Sequence, residues 1–408
     1  MKDKLLKYFL YFAIFSIISG SAFSIPLGGN GSDIGVNIYT MDISAILLTI
    51  FWLFNIRDFY NLIKRDNVAK SFLLFIFITF LSLVFTPALI TLPHKILSSL
   101  YIIRIFSYFS IYISVRHLLA KNKISTSRFI YLLTVSGITL AIAGWLQYFL
   151  YPDLRNLYYL GWDPHYKRIF STILDPNYLG LILVLTFVAL FSSLPRPLWK
   201  KDTKIKIFSL IPSIFIFFTI MFTYSRSAFS SFLTAAAYYS LAQKKYIIIG
   251  GCVIILFLAA FLLPKPGGEG VNLKRLYSIQ ERLINWQEGL GIFLKYPLLG
   301  IGFDTLRYTN PNVKNTQLNN TIISQNVPNH SAGGLDNSLI FVAATTGILG
   351  LTAYLLFLIM AFNKSILVSR ISLLAIFVHS LFLNSLFFPP VLIWLWVILG
   401  LSKGKGDF

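Results

Sequence analysis

The chain has 408 residues, of which 56% are hydrophobic, 16% aromatic and 12% charged, with a formal net charge of +20 and a mean hydropathy of +0.72. That balance excludes an ordinary water-soluble domain and describes a chain embedded in lipid. Its one cysteine, Cys252, excludes an intrachain disulfide and a cysteine-built metal site.

Taken in chain order, the apolar blocks fall at 7–25, 38–56, 71–92, 97–115, 129–150, 176–195, 205–223, 227–243, 246–263, 337–361, 369–387 and 389–402. Most match the roughly 17–25 residues that a helix needs to cross a hydrocarbon core. The expected fold is therefore an all-α integral membrane protein of about twelve transmembrane helices. An outer-membrane barrel would instead show alternating segments of about ten residues. The first block is too long for a signal peptide and lacks a small-residue cleavage site, so it reads as the first helix. The last is short and follows Pro389-Pro390, which suggests a tilted or half-buried segment.

One polar stretch interrupts the series. Residues 1–263 form the first nine helices, 264–336 a long loop, and 337–408 the last three helices with a short tail. Lysine and arginine set the orientation: 22 fall at the termini and in the loops 57–70, 116–128, 196–206, 244–245 and 364–370, against 5 in the short loops of the other side. Both termini are thus expected in the cytoplasm and the long loop outside. The positive charge is mostly this topology signal, and basic residues scattered among short loops make no stripe for nucleic acid. In a Cys252→Ser background, a cysteine placed at residue 310 should react with an impermeant thiol reagent from outside. One placed at residue 200 should be protected, and the reverse pattern overturns the orientation.

Four features converge on the outer side. Before the sixth block stand Arg168 and Asp175-Pro176-Asn177, where Pro176 at the first turn and Asp175 as N-cap are helix-start chemistry. Asp175 reads equally as that cap or as a site residue, whereas Arg168, beside aromatic residues, is placed to hold an anionic headgroup. Tyr224-Ser225-Arg226-Ser227 then occupies a tight apolar hairpin. Arg226 either snorkels to the interface or lines a small polar pocket with Tyr224. In the long loop, apolar residues at 279, 283, 286, 290 and 293 predict an amphipathic helix near 276–294, with Arg282 and Trp286 on one face. The turn Pro297-Leu298-Leu299-Gly300-Ile301-Gly302 follows it, and 309–330, rich in Asn, Thr and Gln, reads as a sugar-facing surface or as padding. Last come His330, Asp336 and Asn337, ahead of Gly347-x-x-Gly350. Asp336 reads as a helix cap, or with His330 as a base or orienter. The two glycines permit close helix contact.

Arg168 to Asp175-Pro176-Asn177, Thr223-Tyr224-Ser225-Arg226, Arg282 with Trp286 before Pro297–Gly302, and the histidine region before Gly347-x-x-Gly350 occur in this order across most of the chain. In this the chain resembles the O-antigen ligase and polymerase family of bacterial envelope membrane proteins. The resemblance implies a multi-pass protein of the bacterial inner membrane, working on its outer face. It also implies a polyprenyl-diphosphate-linked oligosaccharide as donor, an acceptor glycan, and other polysaccharide-assembly membrane proteins as partners. Arg226 and Arg282 fall where the family binds the diphosphate. Ligases carry a His-Asn pair ten residues before the first glycine of the Gly-x-x-Gly element; here Asp336-Asn337 stands there, and His330 is six residues early.

The same chemistry follows from the residues. A lipid diphosphate leaves with its charge already in place, so fixed arginines suffice to stabilise it and neither a metal nor a nucleotide cofactor is required. A glycan polymerase is the leading reading, since aspartate replaces the ligase histidine, and a ligase is the second. A lipid-glycan transporter, suggested by twelve spans, is disfavoured by the absence of internal repeats and by polar residues gathered on one face. No Walker loop couples ATP hydrolysis to transport.

Overall fold

The computed structural model describes residues 2–27, 36–87, 90–160, 164–192, 203–247, 249–254, 263–264, 271, 277–309 and 334–401. They form an almost wholly helical bundle: α1 (Lys2–Phe15), α2 (Thr40–Leu53), α3 (Ile56–Lys64), α4 (Asn67–Val84), α5 (Leu92–Ala120), α6 (Thr126–Leu150), α7 (Pro176–Ser192), α8 (Thr203–Met221), α9 (Arg226–Gln243), α10 (Tyr277–Lys295), α11 (Ser338–Lys364), α12 (Leu367–Ser380) and α13 (Pro389–Gly400). A two-stranded antiparallel hairpin, β1 (Ser24–Leu27) with β2 (Val36–Tyr39), is the only sheet among the described residues.

The all-α membrane class holds. Helices α4, α5, α6 and α11 are each long and apolar enough to cross a bilayer, and α2 with α3, bent by 94°, make a fifth span if counted together. Helices α7, α12 and α13 are apolar but shorter. Half of the ninth expected block, 246–263, lies outside the described residues. Along α4 and α6, Leu74, Phe77 and Phe80, and Ile142, Leu146 and Phe149, recur at helical spacing as exposed apolar stripes suited to lipid.

The final helix is short, and every residue of α13 from Pro389 to Gly400 is buried within the protein. It is apolar on all sides, and a helix without a polar face belongs at the centre of a bundle. Trp396 packs edge-on to Phe72 of α4 and Phe109 of α5, with ring centroids 4.6 and 5.4 Å away. Buried charges near it are paired, Arg116 with Asp66 at 3.5 Å, as lipid-embedded ions require.

The Gly-x-x-Gly element is a joint, not merely a helix contact. Gly347 breaks α11 with φ +63° and ψ −165°, a conformation open essentially to glycine alone. The break exposes backbone groups that pair with the turn after α10. The Ile301 and Gly302 amides donate to the Ala344 and Thr345 carbonyls at 3.1 and 3.0 Å, and the Ile348 amide donates to the Pro297 carbonyl at 2.7 Å. Gly300, at φ +66°, and Gly347 let these backbones approach; a Cβ on Gly347 would lie 2.2 Å from the Leu298 carbonyl oxygen. Ser82 of α4 also donates to the Thr345 carbonyl, at 2.6 Å. The joint fixes α10 against α11. Gly347→Ala should therefore destabilise the protein by at least about 1–3 kcal/mol, the cost of forced backbone strain alone. Thermal unfolding in detergent checks this, and an unchanged Tm would contradict it.

Candidate functional site

The loop before α7 is held in place by strain and buried polar bonds. Lys167, Ser171 and Leu174 all adopt positive φ without being glycine. The Gln147 side chain accepts from the Phe170 and Ser171 amides at 2.9 and 3.2 Å and donates to the Arg168 carbonyl at 3.3 Å. Arg168 is only 2% exposed. Its Nε donates to the Thr223 carbonyl at 2.8 Å, and Nη2 reaches both the Tyr224 carbonyl and the Asn177 side chain at 3.4 Å. The guanidinium therefore grips the turn that precedes Arg226. Asp175 caps α7, its Oδ1 accepting from the Asn177 and Tyr178 amides at 2.6 and 3.2 Å.

The gripped turn aims Arg226. Tyr224 sits at φ +49°, is 1% exposed, and donates its hydroxyl to the Pro264 carbonyl at 2.6 Å. Ser225 is the N-cap of α9, accepting from the Ala228 amide at 3.2 Å, which makes Arg226 the first residue of the helix. Gly180 of α7 lets the two helices approach, since a Cβ there would meet the Ala228 Cβ at 2.6 Å.

The expected amphipathic helix is α10, running from Tyr277 to Lys295. Its Asn285 and Trp286 hold the segment before α11. The Asp336 amide donates to Asn285 Oδ1 at 2.7 Å, and the Trp286 indole donates to the Asp336 carbonyl at 3.3 Å. Asp336 does not cap α11. Asn337 does, its Oδ1 accepting from the Leu339 and Ile340 amides at 2.9 and 3.1 Å while its Nδ2 donates to the Leu381 carbonyl at 3.1 Å. The Asp336 carboxylate is thereby released from local duty and faces Arg282, whose Nε is 3.9 Å away. His330 lies outside the described residues.

These groups feel one another. Burial pushes the Asp336 carboxyl above the usual carboxylate range, Arg282 pulls it back, and the negative charge of Asp175 pushes it further up. Burial likewise raises Asp175, against its amide bonds and Arg168. Arg282 also bears electrostatically on Arg226. Arg226, Arg282, Asp336, Asp175 and Arg168, spread over 169 residues of sequence, are thus linked pair by pair through their fields, with Arg282 and Asp336 in direct reach. A guanidinium facing a carboxylate, with a second guanidinium in its field, suits a dianionic leaving group and a hydroxyl nucleophile.

One residue of this neighbourhood escaped the sequence reading. His379 of α12 is fully buried, with Nε2 3.1 Å from both the Asn177 carbonyl and Ser227 Oγ, and Nδ1 2.6 Å from Ser385 Oγ. Because a carbonyl only accepts, Nε2 carries the proton and Nδ1 accepts from Ser385. The ring ties the start of α7 to the start of α9. A polar ring inside an apolar block was the available signal.

Asp175→Asn separates capping from charge. Asparagine caps as well as aspartate, so stability should hold, whereas Asp175→Ala should cost about 1 kcal/mol. Removing the negative charge lowers the Asp336 pKa, so any activity that needs ionised Asp336 should keep its acid limb but at lower pH. An unmoved limb would uncouple the two carboxylates.

Residues 211–355 match the family model described as O-antigen ligase. The matched stretch contains Arg226, Arg282, Asp336 and the glycine joint. No curated protein matches the chain.

Proposed function

We propose that the protein is a glycan polymerase that joins lipid-linked oligosaccharide repeats at the outer face of the bacterial inner membrane. The observation that carries this reading is Arg282 facing Asp336, a carboxylate not used as a helix cap, at 3.9 Å, with Arg226 close enough to feel the Arg282 charge. Arg226 and Arg282 hold the diphosphate of a polyprenyl-linked glycan, matching its oxygens with planar donor pairs. A hydroxyl of the incoming repeat attacks the anomeric carbon of the donor sugar. The bond from that carbon to the diphosphate oxygen breaks, the electron pair leaves with the diphosphate, and Asp336 takes the hydroxyl proton. The arginines stabilise charge as it grows on the leaving oxygen. Arg168 and Asn177 brace the Arg226 turn rather than touching the headgroup, and Trp286 positions Asp336 through its carbonyl.

A second reading, a ligase transferring the finished glycan to a lipid A core or a protein, is favoured by the family description over residues 211–355. Aspartate at the position of the ligase histidine favours the polymerase. Incubating purified protein with lipid-linked repeats and weighing the products tests the reading. A ladder of lengthened lipid-linked chains supports polymerisation. In deletion strains, loss of a polymerase leaves single repeats on the surface, whereas loss of a ligase strands long chains on the carrier. Flux of labelled carrier lipid with no new glycosidic bond would overturn both in favour of a transporter.

A further inference from the structure

A second polar cluster lies away from the arginine–carboxylate site, built by the start of α5 and the segment just beyond the glycine joint. Tyr101 is sandwiched between two guanidinium groups, Arg104 at 5.0 Å and Arg307 at 4.9 Å from its ring centre. Arg104 is committed to structure: one terminal nitrogen donates to the Asn37 carbonyl at 2.5 Å and to Asp42 at 2.9 Å. Arg307 is less fully committed, although it also bonds the Tyr101 side chain. Its one ion pair is a long contact of 3.4 Å to Asp304 Oδ1, and its Nε is buried without a hydrogen-bond partner among the described residues. Asp304 Oδ2 is likewise buried and unpartnered among them. Asp304 is 7% exposed, sits at φ +57°, and is locked by Ser98, whose hydroxyl donates to its carbonyl at 3.2 Å. Beside the pair, Tyr308 stacks flat on the partly buried ring of His94 at 4.2 Å.

A buried acceptor and a buried donor left without partners are each costly, so a strained backbone that holds them together calls for a ligand carrying both functions. A hydroxyl carries both. Neighbouring hydroxyls on a sugar ring donate to a carboxylate oxygen and accept from a guanidinium N–H, while the ring's C–H face lies on an aromatic side chain. We propose that Asp304, Arg307 and Tyr308 form a saccharide-binding subsite that takes the acceptor glycan. The assignment to the acceptor rests on the transferase reading; sugar binding itself does not. The glycine joint, through the Ile301 and Gly302 amides, links this subsite to α11 and thence to Asp336.

The test uses the full-length protein in nanodiscs and two probes. One is the free repeat-unit oligosaccharide released by mild acid from the host's own carrier lipid; the other is farnesyl diphosphate. Asp304→Asn and Arg307→Gln should weaken oligosaccharide binding at least tenfold while leaving farnesyl diphosphate binding unchanged. Arg226→Ala should do the reverse. Tyr308→Ala, a change at the half-buried rim, should weaken the oligosaccharide about threefold with an unchanged gel-filtration profile, and it serves if the buried variants fail to fold. If farnesyl diphosphate binds through Arg226 but the oligosaccharide does not bind, or binds all these variants as it binds wild type, the subsite is overturned and the transferase reading stands. If the oligosaccharide binds through Asp304 and Arg307 but farnesyl diphosphate does not bind, the subsite stands and the transferase reading falls. Binding of neither probe overturns both.

Discussion

Arg226→Ala should reduce turnover by about 10²–10³-fold, the usual cost of removing one fixed donor from a developing anion, while leaving membrane insertion and gel-filtration behaviour intact. The reason lies in how the residue is held. Arg226 is the first residue of α9, and the turn ahead of it is clamped by Arg168, which spends its donors on the Thr223 and Tyr224 carbonyls. A guanidinium fixed in this way loses little entropy when it meets phosphate. Arg226→Lys should recover only part of the rate, since lysine keeps the charge and loses the planar pair of donors. Arg282→Ala should act in the same direction but more weakly, because its charge is already partly offset by Asp336. Normal product ladders from Arg226→Ala protein would reduce Arg226 to an interfacial residue.

Asp336→Asn should be nearly as damaging as Asp336→Ala, each losing about 10²–10⁴-fold if the carboxylate accepts the acceptor proton. Asparagine would rescue a helix cap, but the cap of α11 is Asn337, so nothing local protects the variant. The pH profile gives the sign. Burial and Asp175 raise the Asp336 pKa against the pull of Arg282, so the active, ionised form is lost as pH falls through a value above the ordinary 3.9 or so of an aspartate. Wild-type activity should therefore show an acid limb in that range, and the residual activity of Asp336→Asn should lack it. His330→Ala provides the contrast: loss of a limb near pH 6–7 in that variant, with Asp336→Asn close to wild type, would move the role of base to His330.

Some of this was legible in one dimension. Long apolar blocks dictate helices, because no other open structure satisfies its backbone polar groups in lipid. The amphipathic helix at Tyr277–Lys295 and the capping by Asp175 follow from local spacing and local hydrogen bonds, and both are present. The residues of the charged cluster could be nominated one by one, since arginines and carboxylates at the ends of apolar helices are costly without a partner.

What each nominated residue does was decided only in three dimensions. Arg168 and Arg226 look alike in sequence, yet the first is sealed against backbone carbonyls and the second starts a helix beside Arg282. Asp336 and Asn337 are adjacent cap-type residues, and only the path of the chain through Asn285 and Trp286 assigns the cap to one and frees the other. Gly347 reads as a packing glycine, but it is the break that lets α11 pair with the turn after α10. His379, a single polar ring in an apolar block, acquires its partners from three separate elements. Sequence sets what a segment can satisfy by itself, namely its helical hydrogen bonds, its caps and its apolar face. Partnerships between charges more than a helix apart depend on which ends the packing brings together.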